Sequence, residues 1–168
     1  VNGSFDAGKQ PLYTFNASGR GAANRLANAQ VVGVYDERTK SVNLDINADR
    51  VSAAYSTGYL GLGRSIRVHG GTLKVAAGVR VRRVAGRSHM AAAGVIKVSN
   101  GSASLSIFRE PVKGINGNIV LADQRFILSL NGSLAGSGAQ VAGEVSGFTN
   151  PKLDLVVTSP DVDFSRLL

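Results

Sequence analysis

The sequence predicts an all-β fold that is mainly antiparallel. Apolar residues occupy every second position over much of the chain, and the clearest run has Leu73, Val75, Ala77, Val79 and Val81 on one side. This period is that of a pleated strand with one apolar face. The composition agrees, because 21 of the 168 residues are glycine and tryptophan is absent. Many short strands and tight turns are therefore expected, with almost no amphipathic helix to cover the sheet.

The first part of the chain is predicted to form strands separated by short loops. Alternation places strands at 1–7, 12–17, 30–35 and 42–48, with a polar hairpin loop at 36–40. Asp49 is a suitable N-cap, so a helix of two turns at most is expected before Gly58. The glycine-rich segment 57–65 lacks the Gly-Lys-Ser/Thr motif of a phosphate-binding loop and is interpreted as a bend.

The second part repeats the alternation at higher density. Strands are predicted at 73–81, 95–98 and 103–107, and the Asn100-Gly101 dipeptide between the last two predicts a two-residue hairpin. Pro111 ends a strand or marks an edge. From Ile115 onward, apolar residues again alternate with mostly polar ones, which predicts further strands with one apolar face.

Two segments of the chain resemble each other. Residues 29–51 align with 139–162 when the loop slips by one residue, and Val42, Leu44 and Ile46 then match Leu153, Leu155 and Val157. This weak internal repeat suggests a chain extended by repetition, with independent convergence of two hairpins as the alternative. Because the chain starts without Met and stops within its pattern, residues 1–168 are interpreted as a single fragment of a larger repetitive protein.

The positive charge is concentrated in the middle of the chain. The formal net charge is +8, and the segment from Arg50 to Arg109 contains cations but no Asp or Glu. Lys74, Arg80 and Arg82 alternate with apolar residues and are expected on the opposite face of their strand. Solvation of that face and attraction to phospholipid headgroups are the two main interpretations. Nucleic acid is not expected as a partner, because few aromatic rings accompany these cations.

No pattern in the sequence predicts catalysis or a cofactor. His69 and His89 lack a third metal ligand at useful spacing, and no nucleophile elbow is present. Asp161 and Asp163 are interpreted as turn and cap residues. The chain is therefore not expected to be an enzyme, and no metal or cofactor is expected. No apolar run reaches the length of a membrane-spanning helix.

The last third of the chain resembles the AsmA/TamB family of bacterial envelope proteins. The matching motifs are the Ile-Asn-Gly strand opening at 115–117, the LNGSLAGSG step at 130–138, VAGEV at 141–145, NPKLDL at 150–155 and the SPDVD exit at 159–163. The segment 29–51 is a fainter copy. The middle block, 58–93, carries no distinctive match.

The resemblance implies an elongated, curved, half-open β-sheet, a "β-taco", with an apolar concave face and at most one or two short helices. It implies a non-catalytic segment whose groove carries phospholipid, or another acyl-chain ligand, between the inner and outer membranes. The location would be the periplasm of a diderm bacterium, with the inner-membrane anchor outside this fragment. Two alternatives are a chaperone-like scaffold that pairs with strands of outer-membrane proteins, with assembly proteins as partners, and a structural spacer.

The predicted site residues follow from the apolar alternation and this resemblance. Lys74, Arg80 and Arg82 form the basic face expected to attract headgroups. The apolar residues expected to line the lipid-binding groove are Val42, Leu44, Ile46, Leu73, Val75, Val79, Val81, Leu105, Ile107, Ile119, Leu121, Phe126, Leu128, Leu130, Leu153 and Leu155.

Overall fold

The protein forms one sheet of ten antiparallel strands, as seen in a computed structural model that describes residues 2–6, 12–19, 28–56, 66–84, 87–106, 108–147 and 152–161. The predicted all-β, antiparallel fold class is confirmed. The strands are β1 (Asn2–Asp6), β2 (Leu12–Gly19), β3 (Asn28–Asp36), β4 (Ser41–Ser52), β5 (Ile66–Val84), β6 (Arg87–Leu105), β7 (Val112–Asp123), β8 (Arg125–Leu134), β9 (Ser137–Ser146) and β10 (Lys152–Thr158). A four-residue helical turn, α1 (Ala53–Ser56), follows β4.

The strands follow one another in space as they do in sequence. The order β1 to β10 is a simple meander, and within the described residues β1 and β10 lie at the two edges and do not pair with each other. Short connections such as the turn at 37–40 are sufficient, because neighbouring antiparallel strands need no crossover. Within the described residues, no helix is long and apolar enough to span a membrane.

The register places the apolar residues of the strands on one face. Residues that pair across antiparallel strands share a face. One such row runs from Leu128 through Ile119 and Ile96 to Val75 and Ala48. The neighbouring row on the other face runs from Ser129 through Asn118 and Lys97 to Lys74. The first face is called the apolar face below, and the second the outer face.

The predicted hairpin at Asn100-Gly101 is wrong. Strand β6 continues through both residues, and Asn100 takes a positive φ of 50° within a break in the strand register. The same dipeptide suits a β-bulge, because Asn tolerates the left-handed region better than most residues. A reversal at Asn100 would have left the first residues of β5 without the partners that β6 gives them, such as Ala103 for Val68.

Bulges lie at one level across four neighbouring strands. The register shifts between Ala48 and Val51 in β4, between 68 and 72 in β5, between 98 and 103 in β6, and between 113 and 116 in β7. Because a bulge bends its strand, a row of bulges bends the sheet along a line. This bulge line, residues 49–50, 69–71, 99–100 and 114–115, crosses the strands and continues from one to the next.

The side chain of Asn116 connects two of these bulges. Its Oδ1 accepts a hydrogen bond of 2.9 Å from the backbone N–H of Asn100 in β6. Its Nδ2 donates one of 2.7 Å to the carbonyl oxygen of Gly114, which has a φ of 59°. One amide group therefore binds backbone groups that the bulges remove from the regular ladder.

The predicted helix is shorter than expected and begins later. Strand β4 continues to Ser52, and Asp49 lies within it rather than capping a helix. The Asp49 carboxylate contacts Lys74 Nζ at 3.1 Å, and the next residue, Arg50, has a φ of 53° at the bulge. An aspartate can cap a helix or form an ion pair on a strand, and here the neighbouring strand β5 provides Lys74 as the partner. The glycine-rich segment predicted to bend lies outside the described residues.

Two glycines on the apolar face allow adjacent strands to approach closely. Gly117 has a φ of 143°, and a Cβ at this position would overlap the carbonyl oxygen of Ser129 in β8. Gly143 has a φ of 148°, and its Cβ would overlap the carbonyl oxygen of Asp154 in β10. In both places backbone atoms of the neighbouring strand occupy the position that a Cβ would take. Glycine is therefore required at both positions.

The two segments with similar sequences form similar hairpins. Gly33 pairs with Leu44 in the β3–β4 hairpin, and the aligned Gly143 pairs with Leu155 in β9–β10. Val31 pairs with Ile46, and the aligned Val141 pairs with Val157. Equivalent residues thus have equivalent partners and lie on the same face.

We predict that Gly117→Ala destabilises the chain by about 1–3 kcal/mol, because the new Cβ meets backbone and the φ is unfavourable for alanine. Gly138→Ala is the matched control, since a Cβ there meets nothing within 4 Å and its φ is ordinary. Urea unfolding followed by circular dichroism measures both. Equal stability of the two variants would contradict the close approach of β8 to β7.

We also predict that Asn116→Ala lowers the free energy of unfolding by about 1 kcal/mol, since it removes two hydrogen bonds to bulge backbone. Asn118→Ala serves as control: two residues further along the same face, Asn118 makes no side-chain hydrogen bond with another described residue. Amide hydrogen exchange of Asn100 is expected to increase in the first variant alone. Unchanged exchange there would show that the bulges do not depend on Asn116.

Candidate functional site: the apolar face

The apolar face collects the residues that the alternation predicted to line a groove. Every predicted groove residue among the described ones lies on it by register, and Ile107 lies outside the described residues. The face also includes Ile96, Val98 and Val141, which the sequence reasoning missed. Their alternation is visible in the sequence, but Val95 and Val98 lie on opposite faces of the same strand. Only the pairing with β5 and β7 shows that Val98 is the one on the apolar face.

The central part of this face carries one charged residue, at the end of a strand. From the row of Tyr35, Val42 and Val81 to the row of Leu73, Val98 and Leu130, its described residues are aliphatic, aromatic, alanine or glycine, apart from Met90 and, at the end of β7, Asp123. Arg83 lies beyond this region at the tip of the β5–β6 hairpin. Charges on the apolar face are thus limited to its rim.

The apolar face is only partly shielded from solvent. Leu121 is 8% exposed and Leu134 is 4% exposed, yet no large side chain in the described part of the chain is less than 2% exposed. Most of the other groove residues are half-buried, and Leu153 at the β10 edge is 62% exposed. No buried polar side chain occurs among the described residues. The face is therefore an open apolar surface and not a closed core.

Curvature explains why this face is more buried than the other. On the outer face, Val95, Val120 and Ile127 are 39–41% exposed in the centre of the sheet. The adjacent Ile96 and Ile119 on the apolar face are half-buried, although they also have strands on both sides. Side chains crowd together on the side toward which a sheet curls. The apolar face is thus the concave face, and we call it the groove.

A small pit lies where the bulge line meets the groove. It has a volume of about 110 Å³, and its lining includes Leu105, Val112, Ile115, Leu130 and Val141. A bound water needs two to four polar partners, and this lining consists almost entirely of apolar groups. The pit therefore suits an apolar chain better than a polar ligand.

The predicted basic residues lie on the outer face, and two of the three have local partners. Lys74 Nζ contacts Asp49 at 3.1 Å, and Arg80 Nε donates a hydrogen bond of 2.8 Å to Asn43 Oδ1. Both contacts are exposed, so each stabilises the fold by less than about 1 kcal/mol. Arg82 has no ion pair with another described residue. The local partners of Lys74 and Arg80 agree with a solvated outer face. The attraction of this face for headgroups stays a prediction.

The turn next to the β5–β6 hairpin neutralises its own charges. Desolvation opposes ionisation of Asp36, but hydrogen bonds from the Thr39 side chain and from the backbone N–H groups of Arg38 and Thr39 lower the pKa of that carboxyl overall. Glu37 accepts a hydrogen bond from Tyr13 and lies 3.7 Å from Lys40 Nζ. Because its two acids and two bases offset one another, the turn adds little to the electrostatic potential around it.

No arrangement of catalytic or metal-binding groups appears in the described part of the chain. No three of its His, Asp and Glu residues form a group able to hold a metal ion. His69 Nε2 is hydrogen-bonded to Ser104 Oγ at 2.6 Å on the outer face, and His89 is exposed on the same face. The backbone carbonyl of Asp161 accepts a hydrogen bond from Ser137, whereas Asp163 lies outside the described residues.

Comparisons with known proteins give no match: no family model, no curated protein and no solved structure is significantly similar to this chain.

Proposed function

We propose that the chain is a non-catalytic segment of an envelope protein whose groove carries phospholipid between two membranes. The open, concave and almost uncharged apolar face is the observation that carries the proposal. Burying an acyl chain against such a surface gains roughly 0.8 kcal/mol per methylene. Useful affinity therefore needs no specific polar site, and an open groove lets the headgroup remain in water.

The resemblance of the last third to the AsmA/TamB family supports the same proposal. In this interpretation the chain belongs to a periplasmic protein of a diderm bacterium, anchored in the inner membrane through residues outside this segment. The paired hairpins β3–β4 and β9–β10 agree with a protein that lengthens by repetition. A groove built in this way continues across each added hairpin.

We predict that Ile96→Asp abolishes binding of phosphatidylglycerol by the 168-residue chain, because a carboxylate in the groove loses its hydration when an acyl chain covers it. Val95→Asp is the matched control, since Val95 precedes Ile96 in β6 but is 41% exposed on the outer face. Native mass spectrometry after incubation with the lipid measures binding, and circular dichroism checks the fold.

The outcomes separate the groove from general effects. Retained lipid in a folded Ile96→Asp variant, or no lipid on the unmodified chain, would overturn the proposal. Should Ile96→Asp unfold, Leu128→Asp tests the same row of the groove in a different strand.

A strand-pairing scaffold is the second candidate function, and the β10 edge favours it. All seven residues of β10 are exposed, and in the described part of the chain this strand pairs with β9 alone. An open edge of this kind can add a strand from another protein through backbone hydrogen bonds. Such pairing depends on N–H groups that point away from β9.

We predict that proline at Leu155 or Val156 distinguishes the two functions. Backbone N–H groups alternate along a strand, so one of the two variants removes an outward N–H and the other an N–H directed at β9. If the chain is a scaffold, the variant that removes an outward N–H loses binding of a β-strand peptide from an outer-membrane protein. If the chain is a lipid carrier, that variant keeps its lipid. Isothermal titration with the peptide, beside lipid binding by mass spectrometry, gives the answer.

A further inference from the structure

Two open pockets lie over the two hairpins with similar sequences. The first has a volume of about 770 Å³, and its lining includes one polar side chain from each of β2, β3 and β4, namely Ser18, Gln30 and Asn47. The second has a volume of about 580 Å³, and its lining includes one from each of β8, β9 and β10, namely Asn131, Gln140 and Thr158. We call these two sets of three the first and the second polar row.

The internal repeat relates the two polar rows residue by residue. Gln30 aligns with Gln140, and the β4 member of the first row aligns with the β10 member of the second. Within each row the glutamine pairs with the members in the strands on both sides of it. Each pocket therefore presents a glutamine in the centre of three polar side chains, and the same arrangement occurs twice in one sheet.

The polar rows lie on the outer face and have unused hydrogen-bonding groups. Gln30 belongs to the same row as Val95, and Asn131 follows Ser129 by two residues, which places both rows opposite the groove. All six side chains are exposed, and none has a hydrogen bond with another described residue. Both glutamines lie in strands that pair on both sides, so a ligand meets their side chains rather than free backbone.

The charges beside the pockets differ, whereas the polar rows are alike. Among the described lining residues, the first pocket has one acid, Asp49, which is paired with Lys74 at 3.1 Å. The second pocket has one base, Lys113. A phosphate or carboxylate would be repelled at the first pocket and attracted at the second. A ligand common to both pockets is therefore recognised by neutral hydrogen bonds.

A saccharide matches this chemistry. Its hydroxyl groups donate and accept hydrogen bonds, as do the amide and hydroxyl side chains of the polar rows. These groups surround the sugar ring, so one ring can reach side chains on neighbouring strands, which lie about 4.8 Å apart. An extended peptide would use the backbone of an open edge instead, and the two glutamines are not at an edge.

We propose that each of the two pockets binds a neutral saccharide, with Gln30 and Gln140 as the central hydrogen-bonding residues. The site lies on the face opposite the groove and does not depend on the proposed lipid-carrying function. Because β3 and β9 are six strands apart, the pockets are separated by roughly 29 Å along the sheet. A short saccharide therefore fills them independently, and a long one that spans both binds more tightly.

The test is an NMR titration of the 168-residue chain with the trisaccharide of N-acetylglucosamine. The side-chain amide signals of Asn47 and Asn131, one in each pocket, are expected to shift in a saturable way. Gln30→Ala weakens the response at Asn47 by about tenfold and leaves that at Asn131 unchanged, and Gln140→Ala does the reverse. Asn118→Ala is the matched control, since Asn118 is an exposed outer-face amide outside both pockets and its loss alters neither response.

Every outcome supports the two saccharide sites or overturns them. Unchanged signals, or a response in one pocket alone, would overturn the pair of equivalent sites. Weakening of both pockets by either single variant would show a general effect on the sheet and overturn the assignment to the glutamines. Equal shifts with triglycine amide would show unspecific binding of amides and overturn the assignment to saccharide. Circular dichroism checks the fold, and Ser18→Ala tests the first row should Gln30→Ala unfold.

Discussion

Backbone pairing between consecutive strands is the interaction on which the rest of this structure depends. The described part of the chain buries few side chains, and those it buries are mostly small, such as Ala92, Ala103 and Ala139. A second layer that packs on the groove is not among the described elements. Stability must therefore come from the hydrogen-bonded ladders and from contacts between neighbouring side chains on the same face. The groove can remain open because the fold does not require it to be filled.

Bending such a sheet without a core requires changes in the backbone itself. The bulge line bends β4 to β7, and Asn116 holds two of its members together. Gly117 and Gly143 let adjacent strands approach where a Cβ would overlap the neighbouring backbone. In a protein with a packed core, side-chain volume sets such curvature. Here a few residues with unusual φ values set it, and the apolar side chains then crowd into the concave space.

The alternation of residue types predicted much of this arrangement, because a period of two is a property of each strand alone. The alternation within each strand already places Leu128 and Val75 on its apolar side, and the register between strands only brings them into one row. Bulges are different, since they depend on two strands. The Asn100-Gly101 dipeptide favours a positive φ, which suits a hairpin turn and a β-bulge equally well. A bulge forms here because β5 is long enough to pair with β6 on both sides of Asn100. The extension of β6 past β7 at residues 87–91 likewise depends on where two different strands end, and no single segment of the sequence contains that information.

The two similar hairpins show why a chain of this kind can lengthen without losing its groove. The loop 147–151 is one residue longer than the loop 37–40, yet Gly33 and Gly143 keep equivalent partners. One extra residue inside a strand would turn every following side chain to the other face. In a loop the same insertion is absorbed before the next strand begins, at Ser41 in one hairpin and Lys152 in the other. Pairing within each hairpin therefore keeps equivalent residues on the groove side although the two loops differ in length.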